Sequence, residues 1–71
     1  MDEGTICLKE ALEYGINRLS EGKISEAELD AWYLLSHVTK IDRATYFAEM
    51  ERSLTKEQEK YYLELILSLI H

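Results

Sequence analysis

The 71-residue chain has no proline, three glycines and one cysteine, and each scarcity excludes a class of structure. Without proline, nothing in the sequence forces a break in a helix, which suits a chain that is mostly helical. The single cysteine, Cys7, excludes an internal disulfide bond, so we expect a reducing, cytoplasmic setting. One cysteine and two distant histidines cannot supply a zinc cluster, and we expect no metal.

Glycine-rich loops and long apolar runs are also missing. The three glycines are scattered, so the sequence contains neither a phosphate-binding loop nor a dinucleotide-binding fingerprint. The longest apolar run, residues 65–70, is interrupted by Ser68 and is far too short to span a bilayer. We therefore predict no catalytic residue, no cofactor-binding residue and no contact with a membrane.

Basic residues are outnumbered, with 8 Lys and Arg against 14 Asp and Glu and a net charge of −6. A nucleic-acid-binding domain needs a basic face, and this balance is the opposite. A helix-turn-helix is possible in outline, but its recognition helix would carry Arg43 and Arg52 among acidic residues. The acidic surface either keeps helix faces solvated or attracts basic protein partners.

Apolar residues recur with helical spacing and predict one all-α domain, a small helical bundle of about four helices with one of them short. The predicted helices cover about residues 6–20, 26–39, 43–50 and 56–70. Their start signals are N-caps and capping boxes at Thr5, at Ser25 with Glu28, at Asp42, and at Thr55 with Gln58. Gly22 is expected in the left-handed conformation after the first helix. Gly15 either admits another helix closely or is merely tolerated.

The second predicted helix is apolar around most of its circumference, so we expect it to be the surrounded, central element. Its principal buried stripe comprises Ala27, Ala31, Leu34, Leu35 and Val38. A further stripe, Asp30, Tyr33 and His37, combines an aromatic ring with polar groups and is our candidate partner-binding surface. Asp30 is also open to a structural role, bonded to the backbone or to Arg18 or Arg43. In the third helix, Ala44 and Phe47, with Tyr46 as a further candidate, are expected to face inward.

The fourth predicted helix is apolar over about two-thirds of its circumference, although a terminal helix of a bundle needs only one apolar face. We infer that the natural protein continues and that this chain is its excised N-terminal domain. Leu63, Leu67 and Ile70 would then contact the missing domain. The alternative is a homodimer that uses the same surface.

From Glu10 to about Ile70 the sequence resembles the N-terminal domain of the HemK/PrmC family, the release factor glutamine methyltransferases. The order L-D-A-x-x-L-L-x-H-V in the second helix is its most specific feature. The matching segments are Glu10-Ala11-Leu12 with Leu19, Ala27-Glu28-Leu29-Asp30-Ala31, Leu34-Leu35, His37-Val38, Arg43 to Tyr46-Phe47, and Leu54-Thr55 with Gln58.

The resemblance implies a substrate-recognition domain of a two-domain enzyme. Such an enzyme methylates the glutamine in the Gly-Gly-Gln loop of a class-I peptide chain release factor, with S-adenosylmethionine as methyl donor. The family's glycine-rich cofactor motif and Asn-Pro-Pro-Tyr motif do not occur in this chain, so the fragment itself is expected to have no activity. Its implied partners are the release factor and its own catalytic domain. The competing interpretation is a freestanding acidic helical interaction module that forms homodimers.

Overall fold

A computed structural model describes residues 5–70, which form four helices. They are α1 (Leu8–Glu21), α2 (Ala27–Thr39), α3 (Arg43–Ala48) and α4 (Lys56–Leu69). Within this part of the chain the predicted all-α class is confirmed, as is the bundle of four helices with one short member. No helix among residues 5–70 combines the length and apolarity needed to cross a membrane.

The three long helices pack against one another, and their contacts fix their directions. Tyr62 of α4 lies against Ala11 in the first half of α1, and Ile70 lies against Gly22 just beyond the end of α1. Helices α1 and α4 are therefore parallel. The ring of His37, near the end of α2, approaches the ring of Tyr61, in the first half of α4, so α2 runs antiparallel to α4.

The core lies between these three helices and is closed at one end by α3 and the following loop. Its largest fully buried side chains are Leu19, Leu35, Tyr62 and Ile66. Gly15 is buried in α1, and a Cβ atom there would collide with the hydroxyl of Tyr62. Of the two alternatives left open for Gly15, the structure shows close approach of another helix, which is α4.

The loop after α3 is held against the beginning of α1 by a short pairing of backbone groups. The N–H of Leu8 donates to the carbonyl of Arg52 at 2.9 Å, and the N–H of Leu54 donates to the carbonyl of Ile6 at 2.9 Å. Leu54 is buried between the two segments. This pairing fixes the position of α3 relative to the three-helix core.

Two of the four predicted helix starts are confirmed. The N–H of Thr45 donates to Asp42 Oδ1 at 2.9 Å, which caps α3. At the start of α4, the N–H of Gln58 donates to Thr55 Oγ1 and the N–H of Thr55 donates to Gln58 Oε1, both at 3.0 Å. These bonds form the predicted capping box.

The predicted caps at Thr5 and Ser25 are wrong. Helix α1 has its N-cap at Cys7, whose N–H donates to Glu10 Oε1 at 3.3 Å. Helix α2 has its N-cap at Glu26, with no side-chain capping bond. Ser25 lies in the turn that leads into α2, and the first bond at the start of α2 is from the N–H of Asp30 to the carbonyl of Glu26.

The left-handed residue after α1 is Lys23, not Gly22 as predicted. Lys23 has φ 65°, whereas Gly22 has φ −82°. The N–H of Lys23 donates to the carbonyl of Ser20 and that of Ile24 to the carbonyl of Leu19, the bonds of a Schellman motif. The absence of a side chain at Gly22 matters for a different reason, because a Cβ atom there would lie 2.7 Å from a side-chain carbon of Ile70.

Helix α2 is not surrounded, contrary to the prediction. Of its expected buried stripe Ala27, Ala31, Leu35 and Val38 are buried, whereas Leu34 is half-buried. Leu29 is 57% exposed. Only three long helices are present in the described residues, and α2 contacts the other two, so its remaining side faces solvent.

In α3 the inward-facing residue is Tyr46, whereas Ala44 and Phe47 are exposed. The prediction for Ala44 and Phe47 is therefore wrong. A helix of six residues has room for one core-facing position, and the large ring of Tyr46 occupies it.

Candidate functional site

The predicted stripe on α2 lies partly in a solvent-open groove at the C-terminal end of that helix. Tyr33, which is 71% exposed, and His37 are part of its lining. Asp30, one turn earlier, is half-buried and is not part of the lining. The structure thus brings two of the three predicted residues into one groove. The remaining lining comes from the end of α2, the connection and α3: Ser36, Lys40, Ile41, Asp42 and Thr45.

The groove offers aromatic and hydrogen-bonding surface. The Ser36 hydroxyl donates to the Tyr33 carbonyl at 3.0 Å, and Lys40 turns the chain with φ 61°. Hydrogen bonds from Thr45 lower the pKa of the Asp42 carboxyl. Because the Asp42 carboxylate already caps α3, its capacity to bind a partner is reduced. These features are suited to contact with another molecule at a surface.

Asp30 does not bond to either arginine considered for it. Arg18 instead lies 3.8 Å from a carboxylate oxygen of Glu21, and Arg43 stacks on Trp32. Among the described residues, the Asp30 side chain makes no hydrogen bond or ion pair. The structural role considered for Asp30 is therefore not observed, and its role in binding a partner stays a prediction.

The predicted contact surface on α4 is only partly exposed. Leu67 is 41% exposed, whereas Leu63 and Ile70 are half-buried against the core. Tyr61 and Leu69 add further exposed apolar area to the same helix. Contact of Leu63, Leu67 and Ile70 with a second domain stays a prediction, with Leu67 the most accessible of the three.

A ladder of cationic and aromatic side chains connects α2 and α3. The guanidinium of Arg43 lies 4.5 Å from the centroid of the Trp32 ring. Successive rings meet edge to face: Trp32 and Tyr46 are 5.5 Å apart between centroids, and Tyr46 and Phe47 are 5.3 Å apart. Tyr46 is buried, and this burial raises the pKa of its hydroxyl. The ladder therefore extends from the core to the exposed ring of Phe47.

The sequence that forms these helices matches a known family. A family model described as the PrmC N-terminal domain matches residues 10–71, which is most of the chain and includes all of α2, α3 and α4. The chain belongs to the PrmC N-terminal domain family. No significant match was found among curated proteins or among solved structures.

The match is to the N-terminal domain of PrmC, and no catalytic domain is evident in the part of the chain that the structure describes. Among residues 5–70, no three His, Cys, Asp or Glu side chains are arranged to hold one metal ion.

Sequence reasoning missed the ladder in this PrmC-type domain. Tyr46 and Phe47 follow Arg43 by three and four positions, and residues at these spacings are neighbours on the surface of a helix. That signal was available from the sequence. It could not reveal that Arg43 and Tyr46 meet Trp32, which lies on a different helix.

Proposed function

We propose that this chain is the substrate-recognition domain of an S-adenosylmethionine-dependent protein-(glutamine-N5) methyltransferase. Its substrates would be class-I peptide chain release factors in the cytoplasm, modified at the glutamine of the Gly-Gly-Gln loop. The observation that carries the proposal is the family match over residues 10–71. In the longer protein a separate domain would bind the methyl donor and transfer the methyl group.

The physical contribution of the domain would be to position the substrate. Binding energy from contacts remote from the glutamine can offset the entropy lost in orienting its amide for reaction. This role requires a rigid platform with an accessible contact surface. The buried contact between α1 and α4 and the ring ladder between α2 and α3 support the first requirement. The exposed residues Leu29, Tyr33 and Phe47 support the second.

An NMR titration of the isotope-labelled domain with an unlabelled class-I release factor tests the proposal. We expect shifts or broadening confined to exposed residues of α2 and the adjoining α3. Buried residues such as Leu19 and Ile66 serve as internal controls because they should stay unchanged. Spectra that do not change at high micromolar release factor would contradict substrate recognition by this domain.

A second candidate function is a freestanding homodimeric interaction module. The observation in its favour is the exposed apolar area on α4, where Leu67 and Leu69 are 41% and 45% exposed. The two candidates predict different masses in solution. A recognition domain is expected to be monomeric at micromolar concentration, and a freestanding module is expected to be dimeric through α4.

A further inference from the structure

Arg43 differs from the other arginines of the described chain in its partners. Arg52 lies 2.8 Å from a carboxylate oxygen of Glu49, and Arg18 lies 3.8 Å from one of Glu21. Arg43 makes no ion pair and no side-chain hydrogen bond with any residue from 5 to 70, and it lies over the face of the Trp32 ring. It is exposed at the first position of α3.

The Arg43 guanidinium lies over the Trp32 ring, with its Cζ 4.5 Å from the ring centroid, and donates no hydrogen bond to residues 5–70. Attraction to the ring face holds a guanidinium in such a position and leaves its N–H donors available to a partner. The planar fork of these donors matches the two oxygens of a carboxylate. Since the fork is already ordered before binding, less side-chain entropy is lost when a carboxylate arrives.

Exposed apolar side chains lie one turn after Arg43 on α3 and one turn before Trp32 on α2. Phe47 is 63% exposed and is supported from beneath by the buried ring of Tyr46. Leu29, which is 57% exposed, lies one turn before Trp32 on α2. Aromatic residues and arginine in a supported cluster are the composition of energetically dominant sites in protein interfaces.

We propose that the surface formed by Leu29, Trp32, Arg43 and Phe47 docks the protein substrate by binding a carboxylate on Arg43 next to an apolar side chain on Phe47. This inference rests on the proposed function and identifies the surface that recognises the substrate. The local charge decides which group this surface binds. The Arg43 guanidinium has no carboxylate partner among residues 5–70, so it favours an acidic side chain of the substrate. The net charge of −6 favours basic groups of the substrate around that contact.

The groove at Tyr33 and His37 is less suited to this role. Its acidic member, Asp42, already accepts a hydrogen bond from the N–H of Thr45. The Tyr33 ring has no ring contact with the described residues, and the His37 ring has one, with Tyr61 at 6.2 Å between centroids. The rings of the ladder pack more closely, at 5.5 and 5.3 Å between centroids. We therefore expect the strongest contact with the substrate at the ladder.

The test compares binding of an unlabelled class-I release factor to the wild-type domain and to four single variants. Arg43→Gln removes the charge and the fork, and Arg43→Lys keeps the charge but loses the planar fork and its stacking. Phe47→Ala removes the apolar neighbour. Lys60→Gln is the matched control because Lys60 is an exposed basic residue on α4, away from the ladder. An amide NMR spectrum of each variant verifies that it is folded.

Loss of one hot-spot contact corresponds to about tenfold weaker binding, and we expect at least this for Arg43→Gln and Phe47→Ala. Arg43→Lys should lie between Arg43→Gln and wild type, and Lys60→Gln should bind as wild type does. If the wild-type domain binds but Arg43→Gln binds equally well, or shifts map only to Tyr33 and His37, this inference is wrong and the proposed function stands. If the wild-type domain does not bind, the proposed function fails, and the inference fails with it.

Discussion

Tyr62 of α4 packs against α1 at Gly15. The Tyr62 hydroxyl donates to the carbonyl of Ala11 at 2.8 Å. The hydroxyl end of the Tyr62 side chain lies where a Cβ atom of residue 15 would be. The hydrogen bond and the missing Cβ atom therefore depend on one another. Both residues are buried, so a change at either is felt by the core.

We predict that Gly15→Ala destabilises the domain even though alanine favours a helix. Replacing glycine by alanine within a helix gains about 1 kcal/mol in helix propensity. The steric conflict with Tyr62 and Ile66 in a filled core costs ~1–3 kcal/mol and should exceed this gain. Urea unfolding followed by circular dichroism measures the difference.

A double-mutant cycle assigns that cost to the Tyr62 hydroxyl. Tyr62→Phe alone should lose about 1 kcal/mol with its hydrogen bond. Gly15→Ala should be less harmful in the Tyr62→Phe background, because the nearest obstructing atom is gone. Asn17→Ala, at an exposed position of α1, is the control for helix propensity and should be neutral or stabilising. Additive effects of Gly15→Ala and Tyr62→Phe would show that the contact does not cause the strain.

Alkaline pH should destabilise the domain through the same residue. Burial raises the pKa of the Tyr62 hydroxyl well above its ordinary value of 10.0, and the nearby Tyr14 and Tyr46 raise it further. The folded chain therefore keeps this proton at pH values where the unfolded chain releases it. The contribution of Tyr62 to stability is complete below about pH 10 and is lost as pH rises above it. The urea concentration at the unfolding midpoint, measured from pH 8 upward, should decrease once the pH exceeds about 10. The decrease should be less steep in Tyr62→Phe. Equal slopes for the two proteins would be inconsistent with this assignment.

At the scale of the elements, helix starts that look alike in the sequence differ in the structure. Ser25 with Glu28 and Thr55 with Gln58 both have the spacing of a capping box, but only the second pair forms one. A capping box requires its first residue to be the N-cap. The turn after α1, with Lys23 in the left-handed conformation and the N–H of Ile24 bonded to the carbonyl of Leu19, places the start of α2 one residue later than Ser25.

Alanine substitutions at the two positions should therefore have different effects. Thr55→Ala removes an observed cap from α4 and should lower the free energy of unfolding by about 1 kcal/mol. Ser25→Ala removes an exposed hydroxyl with no observed capping bond and should change it by less than ~0.5 kcal/mol. Chemical unfolding of both variants tests the assignment. A loss for Ser25→Ala as large as that for Thr55→Ala would mean that Ser25 does cap α2.

At the scale of the whole molecule, the exposed apolar area on α4 bears on the oligomeric state. We expect the wild-type chain to sediment near its monomer mass of 8.3 kDa at micromolar concentration. Leu67→Asp, at a 41% exposed position, should leave both the mass and the fold unchanged. Analytical ultracentrifugation compares the two proteins, with the exposed Glu64→Gln as a control for surface change on α4. A wild-type dimer that Leu67→Asp converts to a folded monomer would favour the homodimeric module.

Much of the helical architecture could be predicted from local sequence. Helical spacing of apolar residues and the caps at Asp42 and Thr55 depend on neighbours within four positions, so they are evident without a fold. The order of residues in the second helix also pointed to the PrmC family, which the match over residues 10–71 confirms. The exposure of Phe47 and the open side of α2 were not predictable in this way. They depend on how many other helices pack against each face, and the spacing of apolar residues along one helix does not determine how many do.

The sequence by itself determined the helical class, two of the helix caps and the family, because each is carried by residue types at short, fixed spacings. Tertiary structure alone decided which apolar residues reach the surface and which side chains from different helices meet. Trp32 and Arg43 are eleven positions apart, and Gly15 and Tyr62 are forty-seven apart, yet each pair is in contact. Contacts of this kind form only when the helices pack, because burial of the shared core brings distant faces together.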